Sequence, residues 1–354
     1  MLNSLYIRNF RCLKEFQTNS VKQINLIAGK NNTGKSSILE AVAIYACKGK
    51  MNDVISLLDN RGEYSVNQTV ADYTETNVNS LSRLFSGKAV EYHRDSAIQT
   101  GAINDFVSLR FVKYIYNAQN QASEKILLDN ENDSNAKTGF EISYKDTFLI
   151  QLNMPVNRFE NLIVPEKYQI VGASDIHGEM NGKLFDNITL TEKESHVIEA
   201  LRIIEPRMER IAFITDKSSQ TRNAVMKLSG MRDVSPLRSM GDGVNRILTI
   251  ILAMVNVENG YLLIDEFENG LHYSVQEQLW KIIFRTAKTL NVQVFATTHS
   301  NDCIRSFGNI LNSGDYDSTI GKLIRLDKKN DIVFDTDFNA EELHTANVQN
   351  IEIR

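Results

Sequence analysis

The stretch GKNNTGKS, residues 29–36, constrains the fold more than any other part of the sequence. It matches the pattern G-x-x-x-x-G-K-[ST]. It joins an apolar segment (24–28) that predicts a strand to a segment (36–47) with the apolar spacing of a helix. The glycines allow a tight curl in which backbone N–H groups and the helix N-terminus point at an anion. The sequence therefore predicts an α/β domain that begins with a phosphate-binding loop.

The loop also supplies side chains that suit a nucleotide and its metal ion. Lys35 would place a positive charge beside the β- and γ-phosphates, and the Ser36 hydroxyl would ligate Mg²⁺. A chance match to the pattern is the alternative, and the flanking strand and helix argue against it. We expect the phosphate contacts to come from Asn31, Asn32, Thr33, Gly34, Lys35, Ser36 and Ser37.

A pair of carboxylates ends a second apolar strand. In YLLIDEFENGLH (261–272), four apolar residues precede Asp265 and Glu266. Adjacent carboxylates at the tip of a buried strand are costly unless a positive charge is near, and a metal ion with a nucleotide would supply one. Asp265 would then hold the metal, and Glu266 would act as the general base for the attacking water. The alternative is that both acids are solvated and simply begin a loop.

A third apolar strand, VQVFATT (292–298), ends in His299. The amphipathic segment 272–290 separates it from strand 261–265, and this strand–helix–strand order predicts a parallel crossover. Considered alone, a single histidine at a strand end is more often structural than functional. We expect Ser300 and Asn301 to begin and cap the next helix.

The composition narrows the classes of function that remain. The chain has 354 residues, 42% of them apolar, and a formal net charge of −5. This charge excludes a generally basic coat for nucleic acid, though not a local patch. The three cysteines form no CxxC motif, so neither a disulfide framework nor a zinc site is predicted. Signal-peptide and membrane-spanning patterns are lacking, so we expect a cytoplasmic protein with no membrane partner.

The motifs together resemble the ABC-type ATPase heads of the SMC, RecF and OLD group. The resemblance rests on GKNNTGKS, DEFENGLH and TTHS, and on LYIRNFRCLKEF near the N-terminus. It implies an α/β P-loop NTPase fold with a mostly parallel core sheet, an antiparallel β subdomain and a helical insertion. It also implies an ATPase that uses ATP and Mg²⁺. By the same resemblance, His299 would contact the γ-phosphate and act in catalysis beside Glu266.

The resemblance also implies a signature segment that contacts the ATP of a second copy. SPLRSMGDGVNRIL (235–248) is the candidate, because it precedes an apolar helix upstream of the carboxylate strand. Either Ser239 or Met240 takes the serine position of this signature. A flexible helix N-cap is the alternative interpretation. If the segment is a signature, a homodimer or higher homo-oligomer follows, with contacts from Ser239, Met240, Gly241, Asp242 and Gly243.

The chain as a whole is expected to form a single head. We assign 1–48 and 235–305 to the nucleotide-binding core, 49–234 to an antiparallel β and helical lobe, and 306–354 to a strand and hairpin extension. The lobe shows no sustained heptad pattern, so an SMC-type coiled coil is not predicted.

Three functions remain open from the sequence. Compact heads with these motifs are similar to ATPases of bacterial anti-phage defence, which would regulate a separately encoded effector, either a nuclease or a toxin. A RecF-like DNA repair ATPase that binds duplex DNA is the first alternative. A low-turnover, ATP-dependent assembly scaffold is the second.

Overall fold

The fold is described from a computed structural model, which covers residues 1–64, 73–117, 122–125, 135–155, 164–173, 178–215 and 222–353. The predicted lobe therefore includes segments that lie outside the described residues. The helices in the described part are α1 Lys35–Ala46, α2 Met51–Asp59, α3 Thr74–Ser82, α4 Gly178–Asp186, α5 Glu192–Arg202, α6 Asp242–Asn256, α7 Tyr273–Leu290, α8 Asn301–Leu311 and α9 Ala340–Val348.

The strands among the described residues form three sheets. The strands are β1 Leu5–Phe10, β2 Leu13–Thr18, β3 Ile24–Gly29, β4 Ile98–Ala102, β5 Asp105–Asn117, β6 Ala122–Lys125, β7 Lys137–Tyr144, β8 Asp146–Gln151, β9 Tyr168–Val171, β10 Met208–Thr215, β11 Arg222–Leu228, β12 Ser235–Pro236, β13 Tyr261–Ile264, β14 Gln293–Thr298, β15 Gly321–Lys329 and β16 Ile332–Phe338.

The core sheet has the strand order β16-β15-β3-β14-β13-β9. All its pairings are parallel except that of β15 with β16. Every residue of β3, β13 and β14 is buried, as expected for parallel strands that are covered on both faces. The predicted parallel crossover is confirmed, because Leu262 pairs with Val294 across β13 and β14. The carboxyl ends of these strands meet at one edge of the sheet, and the candidate site lies there.

A second sheet is antiparallel and has the order β2-β1-β4-β5-β7-β8, with β6 paired to β5. Helix α1 begins at the phosphate-binding loop and contacts both β4 of this sheet and β13 of the core sheet. Nine of its twelve residues are buried, so α1 lies in the interior between the two sheets. A smaller third sheet, β10-β11-β12, ends with the first two residues of the candidate signature segment.

Several strands pair with strands outside the core, lobe or extension range to which the sequence assigns them. β9 lies in the predicted lobe and β15 in the predicted extension, yet both join the core sheet. Conversely, β1 and β2 fall in the predicted nucleotide-binding core but belong to the antiparallel sheet. Apolar alternation shows that a segment is a strand, but it does not show which strand lies beside it. No helix among the described residues is long and apolar enough to span a membrane.

Candidate nucleotide-binding site

Two glycines give the phosphate loop its shape. Gly29 ends β3 with φ +150°, and a Cβ there would lie 2.7 Å from the carbonyl oxygen of Leu326 in β15. Gly34 caps α1 with φ +98°, and its Cβ would lie 3.0 Å from Cys12 Sγ. Both positions combine a left-handed backbone with close neighbours, so side chains are excluded. The loop can therefore curl tightly at the N-terminus of α1.

Lys35 lies at the mouth of this loop. Its Nζ donates hydrogen bonds to the carbonyl oxygens of Gly29 at 2.7 Å and Lys30 at 2.9 Å. Burial lowers the pKa of Lys35, and the negative charges of Asp265, Glu268 and Glu266 oppose that effect. A bound polyphosphate would favour the charged ammonium further.

Asp265 follows β13 and faces the loop. Its Oδ1 accepts hydrogen bonds from the Ser36 hydroxyl at 3.1 Å and from the Thr297 hydroxyl at 2.6 Å. Mg²⁺ takes oxygen ligands and commonly uses one or two protein groups, with phosphates and water completing the shell. The Ser36 hydroxyl and the Asp265 carboxylate fit this requirement. The described residues contain no cluster of three or more His, Cys, Asp or Glu side chains that could hold a metal ion.

Glu266 has a left-handed backbone, with φ +48°. Two side chains hold the turn around it. The Thr297 hydroxyl accepts a hydrogen bond from the Glu266 N–H at 2.9 Å, and Arg246 donates to the Asp265 carbonyl oxygen at 2.9 Å. Arg246 is a fully buried residue of α6, and it also donates to the carbonyl oxygen of Gly172. A non-glycine residue keeps such a backbone only where its surroundings enforce it.

A cleft of about 820 Å³ opens over the loop and the carboxylates. This volume falls within the range of small-ligand sites. The predicted site residues that line it are Asn31, Asn32, Gly34, Lys35, Ser36, Ser37, Asp265 and Glu266. Thr33 is buried instead, and its hydroxyl donates to the carbonyl oxygen of Lys30 at 2.9 Å.

The rest of the cleft wall carries several cationic side chains. They are Arg11, Arg61, Arg83, Lys88 and Lys328. Arg11 forms ion pairs with Glu40 and with Glu63, the latter at 2.9 Å. Burial raises the pKa of Glu40, and Arg11 and Arg61 oppose that effect. The cleft therefore offers positive charge both at its floor and along its wall, as a polyphosphate ligand requires.

His299 is not part of the cleft lining. It follows β14 directly, and its Nδ1 lies 3.1 Å from Oε1 of Glu268, in the turn after the carboxylate pair. The next residue, Ser300, accepts a hydrogen bond from the Cys303 N–H and caps α8. The predicted cap is therefore confirmed, with Asn301 as the first helical residue.

The described side chains of the candidate signature segment also lie outside the cleft lining. A short 3₁₀ turn, Leu237–Met240, leads to Gly241, which has φ +96° and caps α6. The exposed Ser239 donates its hydroxyl to the carbonyl oxygen of Pro236 at 2.7 Å. A Cβ on Gly243 would lie 3.2 Å from the carbonyl oxygen of Gly270. The side chain of Asp242 lies outside the described part of the structure.

Three residues that contact the site were missed in the sequence. No role at the site was predicted from the sequence for Thr297, Glu268 or Arg246. Thr297 orients Asp265, Glu268 contacts His299, and Arg246 holds the turn at Glu266. Arg246 carried a usable signal, because it is a charged residue directly before the apolar run ILTIILAMV.

The phosphate loop after β3 and the acidic pair after β13 define a P-loop ATPase. The AAA ATPase domain family model matches residues 1–304, and the chain belongs to this family.

Two relatives agree with that assignment. The chain is 24% identical to an ATP/GTP phosphatase of Helicobacter pylori over 342 residues, which cover 89% of this chain and 90% of the relative. It is 36% identical to the DNA double-strand break repair Rad50 ATPase of Archaeoglobus fulgidus over 99 residues, or 25% of this chain and 11% of the relative.

Among solved structures, a crystal structure of the Smc head bound to the C-winged helix domain of ScpA is similar in fold. The TM-score is 0.52 at 14% identity, with 96% of this chain and 99% of that chain covered. This similarity confirms the predicted ABC-type head fold, and the family match and the relatives confirm the predicted ATPase activity.

Proposed function

We propose that the ATPase binds ATP with Mg²⁺ in the cleft at the phosphate loop and hydrolyses it there. The observation that carries this proposal is the 3.1 Å contact between the Ser36 hydroxyl and Asp265, beside the Lys35 ammonium. The loop N–H groups of 31–37 bind the phosphates, and Ser36 and Asp265 hold the metal. When bound, Mg²⁺ would neutralise charge on the β- and γ-phosphate oxygens.

Glu266 is the proposed general base. Its carboxylate lines the cleft next to Asp265, and the turn that carries it is held by Thr297 and Arg246. A carboxylate in this place accepts the proton of the water that attacks the γ-phosphate. His299 is proposed to contact that phosphate as charge develops on it.

The signature segment 239–243 is proposed to act on the ATP of a second copy. Its exposure and its position outside the cleft support a contact in trans. The N-terminus of α6, capped by Gly241, would present its N–H groups to the γ-phosphate. ATP would then join two heads through two identical sites, in a closed homodimer or a higher homo-oligomer.

The binding step is tested by Lys35→Ala. We expect this variant to lose ATP binding in isothermal titration calorimetry, because the ammonium charge at the loop is gone. Lys30→Ala is the matched control, since it removes an exposed lysine of the same loop. Unchanged ATP affinity in Lys35→Ala would contradict the assignment of the phosphate loop.

The catalytic and assembly steps are tested by Glu266→Gln. This variant should bind ATP, lose turnover and accumulate as an ATP-bound oligomer in size-exclusion chromatography with light scattering. A variant that stays monomeric in saturating ATP would count against pairing of heads. Turnover that persists in Glu266→Gln would exclude Glu266 as the base, while a wild type with negligible turnover would favour the scaffold function.

At the cellular level, we propose that the paired heads regulate a separately encoded effector, a nuclease or toxin, in bacterial anti-phage defence. The motifs DEFENGLH and TTHS, which resemble those of ATPases in bacterial anti-phage defence, support this role. Phage plating on cells that carry the gene with its neighbours tests it, with Lys35→Ala as the inactive comparison. Equal plating efficiency on both would contradict the defence role.

A DNA repair role is the second candidate, and the stretch of similarity to the Rad50 ATPase favours it. In that case the ATP-bound dimer binds duplex DNA, with an affinity that falls steeply as salt increases. Fluorescence anisotropy with a plain duplex, with and without ATP, tests this. Absence of binding at low salt in both conditions would exclude it.

A further inference from the structure

Glu268 contacts the end of β14 through both of its carboxylate oxygens. Oε2 accepts the Thr298 hydroxyl at 2.8 Å, and Oε1 accepts the His299 backbone N–H at 2.9 Å. The same Oε1 lies 3.1 Å from His299 Nδ1. One carboxylate therefore joins the turn after β13 to the strand end that carries His299.

The two side chains of this pair differ in exposure. The Glu268 side chain is 11% exposed, whereas the His299 side chain is 51% exposed. A half-exposed ring has little packing to fix its orientation. The Thr298 hydroxyl belongs to a fully buried residue, and the His299 N–H belongs to the backbone. Both donors therefore hold the Glu268 carboxylate independently of the imidazole ring. Glu268 therefore helps to fix the orientation of the imidazole.

The carboxylate also favours one position for hydrogen on the ring. Because a carboxylate oxygen accepts hydrogen bonds, the 3.1 Å approach of Oε1 favours hydrogen on Nδ1 of His299. A contact between the ring and a terminal phosphate would then use Nε2. Carboxylates that orient a functional histidine in this way occur at metal sites and in catalytic triads.

Glu268 is also close enough to the phosphate loop to affect Lys35. Burial lowers the pKa of Lys35, and the negative charge of Glu268 is one of the contributions that raise it, along with Asp265 and Glu266. Neither Glu268 nor His299 lines the cleft, but Glu268 lies two residues after Glu266, the proposed base, which does.

We propose that Glu268 is a positioning residue for ATP hydrolysis, which holds His299 so that Nε2 faces the terminal phosphate. The inference rests on the proposed role of His299. Because the charge on the terminal phosphate oxygens develops in the transition state, the contact acts on kcat more than on KM.

A double-mutant cycle tests the proposal. kcat and KM are measured for the wild type, Glu268→Gln, His299→Ala and the double variant. We expect Glu268→Gln to lower kcat about tenfold, as loss of a partner that orients a histidine commonly does, with KM nearly unchanged. In the His299→Ala background, Glu268→Gln should have no further effect, because both changes remove the same contact.

Two further variants separate positioning from folding. Glu341→Gln removes the same charge at an exposed position of α9 and should leave kcat unchanged. Thr298→Val removes the hydroxyl that holds Oε2 while keeping the side-chain shape. It should lower kcat less than Glu268→Gln does, and again only when His299 is present. Thermal melting shows which variants are folded, and Thr298→Val carries the test if Glu268→Gln is not.

Each outcome of the cycle has a distinct meaning. Effects of Glu268→Gln and His299→Ala that multiply in the double variant overturn the proposal, because Glu268 would then act independently of the ring. A lowered kcat in His299→Ala with a normal kcat in Glu268→Gln overturns the proposal but keeps the role of His299. A normal kcat in His299→Ala removes that role, and the inference fails with it.

Discussion

The phosphate cleft and the signature segment differ in how complete they are within one chain. In the cleft, residues from β3, α1, β13 and β14 meet through direct side-chain hydrogen bonds, such as those from Ser36 and Thr297 to Asp265. In the segment 239–243, Ser239 and Gly241 are exposed, and the described residues do not line that cleft. The first region is organised for a ligand in cis, whereas the second would need a partner copy to act.

The largest expected effect is that of Gly34→Ala, which tests the cleft. A Cβ at this left-handed position would lie 3.0 Å from Cys12 Sγ and 3.1 Å from Leu13 Cδ2. We expect ATP affinity to fall at least about 100-fold, because the loop N–H groups lose their common direction. Calorimetry measures this, and near-normal affinity in a folded variant would contradict the account of the loop.

A signature variant, Gly241→Arg, should behave in the opposite way. A Cβ at Gly241 would have no atom of the described residues within 4 Å, so the new side chain meets only the surface, although its φ of +96° strains the turn that caps α6. We expect normal ATP binding but loss of turnover and of pairing. Loss of ATP binding in this variant would show that the segment acts in cis.

Mixing two inactive variants tests whether the cleft of one chain and the signature segment of another form one site. A Lys35→Ala chain keeps its signature, and a Gly241→Arg chain keeps its cleft. If the site is shared, an equal mixture should recover turnover, up to about half of the wild-type value, because neither variant pairs with itself and each heterodimer keeps one working site of two. No recovery, with pairing detected by crosslinking, would contradict a contact in trans.

A smaller effect is expected from Thr297→Val, which keeps the shape of a buried side chain. The change removes the hydrogen bond to Asp265 and leaves the Glu266 N–H without its acceptor, at a cost of about 1–3 kcal/mol. We expect a higher Mg²⁺ requirement and a lower kcat, measured by metal titration of turnover. Thr297→Ser keeps the hydroxyl and should stay near wild type.

The sequence predicted the fold class because its strongest signals are local. The loop GKNNTGKS, the apolar strands 261–265 and 292–298, and the crossover between them can all be read within short windows. Strand neighbours could not be read, because β9 and β15 join the core sheet through pairings distant in the chain. Periodicity carries no information on such partners.

The same limit applies to the candidate site. Lys35, Asp265 and Glu266 were predicted from motif spacing, whereas the contacts of Thr297 and Glu268 depend on how β13 and β14 lie in register. The hydroxyls of Thr297 and Thr298 each meet a carboxylate from the turn after β13. A sequence shows two threonines before a histidine, but only the paired strands show that one faces Asp265 and the other Glu268.

The smallest expected effect is on the pH dependence of the stability of the folded protein without bound nucleotide. Because burial lowers the pKa of Lys35, the unfolded chain binds this proton more tightly than the folded chain does. Between the lowered pKa and the ordinary value of about 10.4, raising the pH therefore stabilises the folded state. Lys35→Met lacks the titrating group, so its melting temperature should fall relative to that of the wild type as pH rises through this window.

Bound ATP should remove this stabilisation of the folded state at alkaline pH. The phosphates favour the charged ammonium, so the pKa of Lys35 rises in the complex and the alkaline stabilisation disappears. ATP affinity of the wild type should accordingly decrease as pH approaches the lowered pKa, and that of Lys30→Ala should decrease in parallel. A melting-temperature difference between wild type and Lys35→Met that does not change with pH would show that Lys35 is not desolvated in the free cleft. The cleft would then be as open to water as the signature segment.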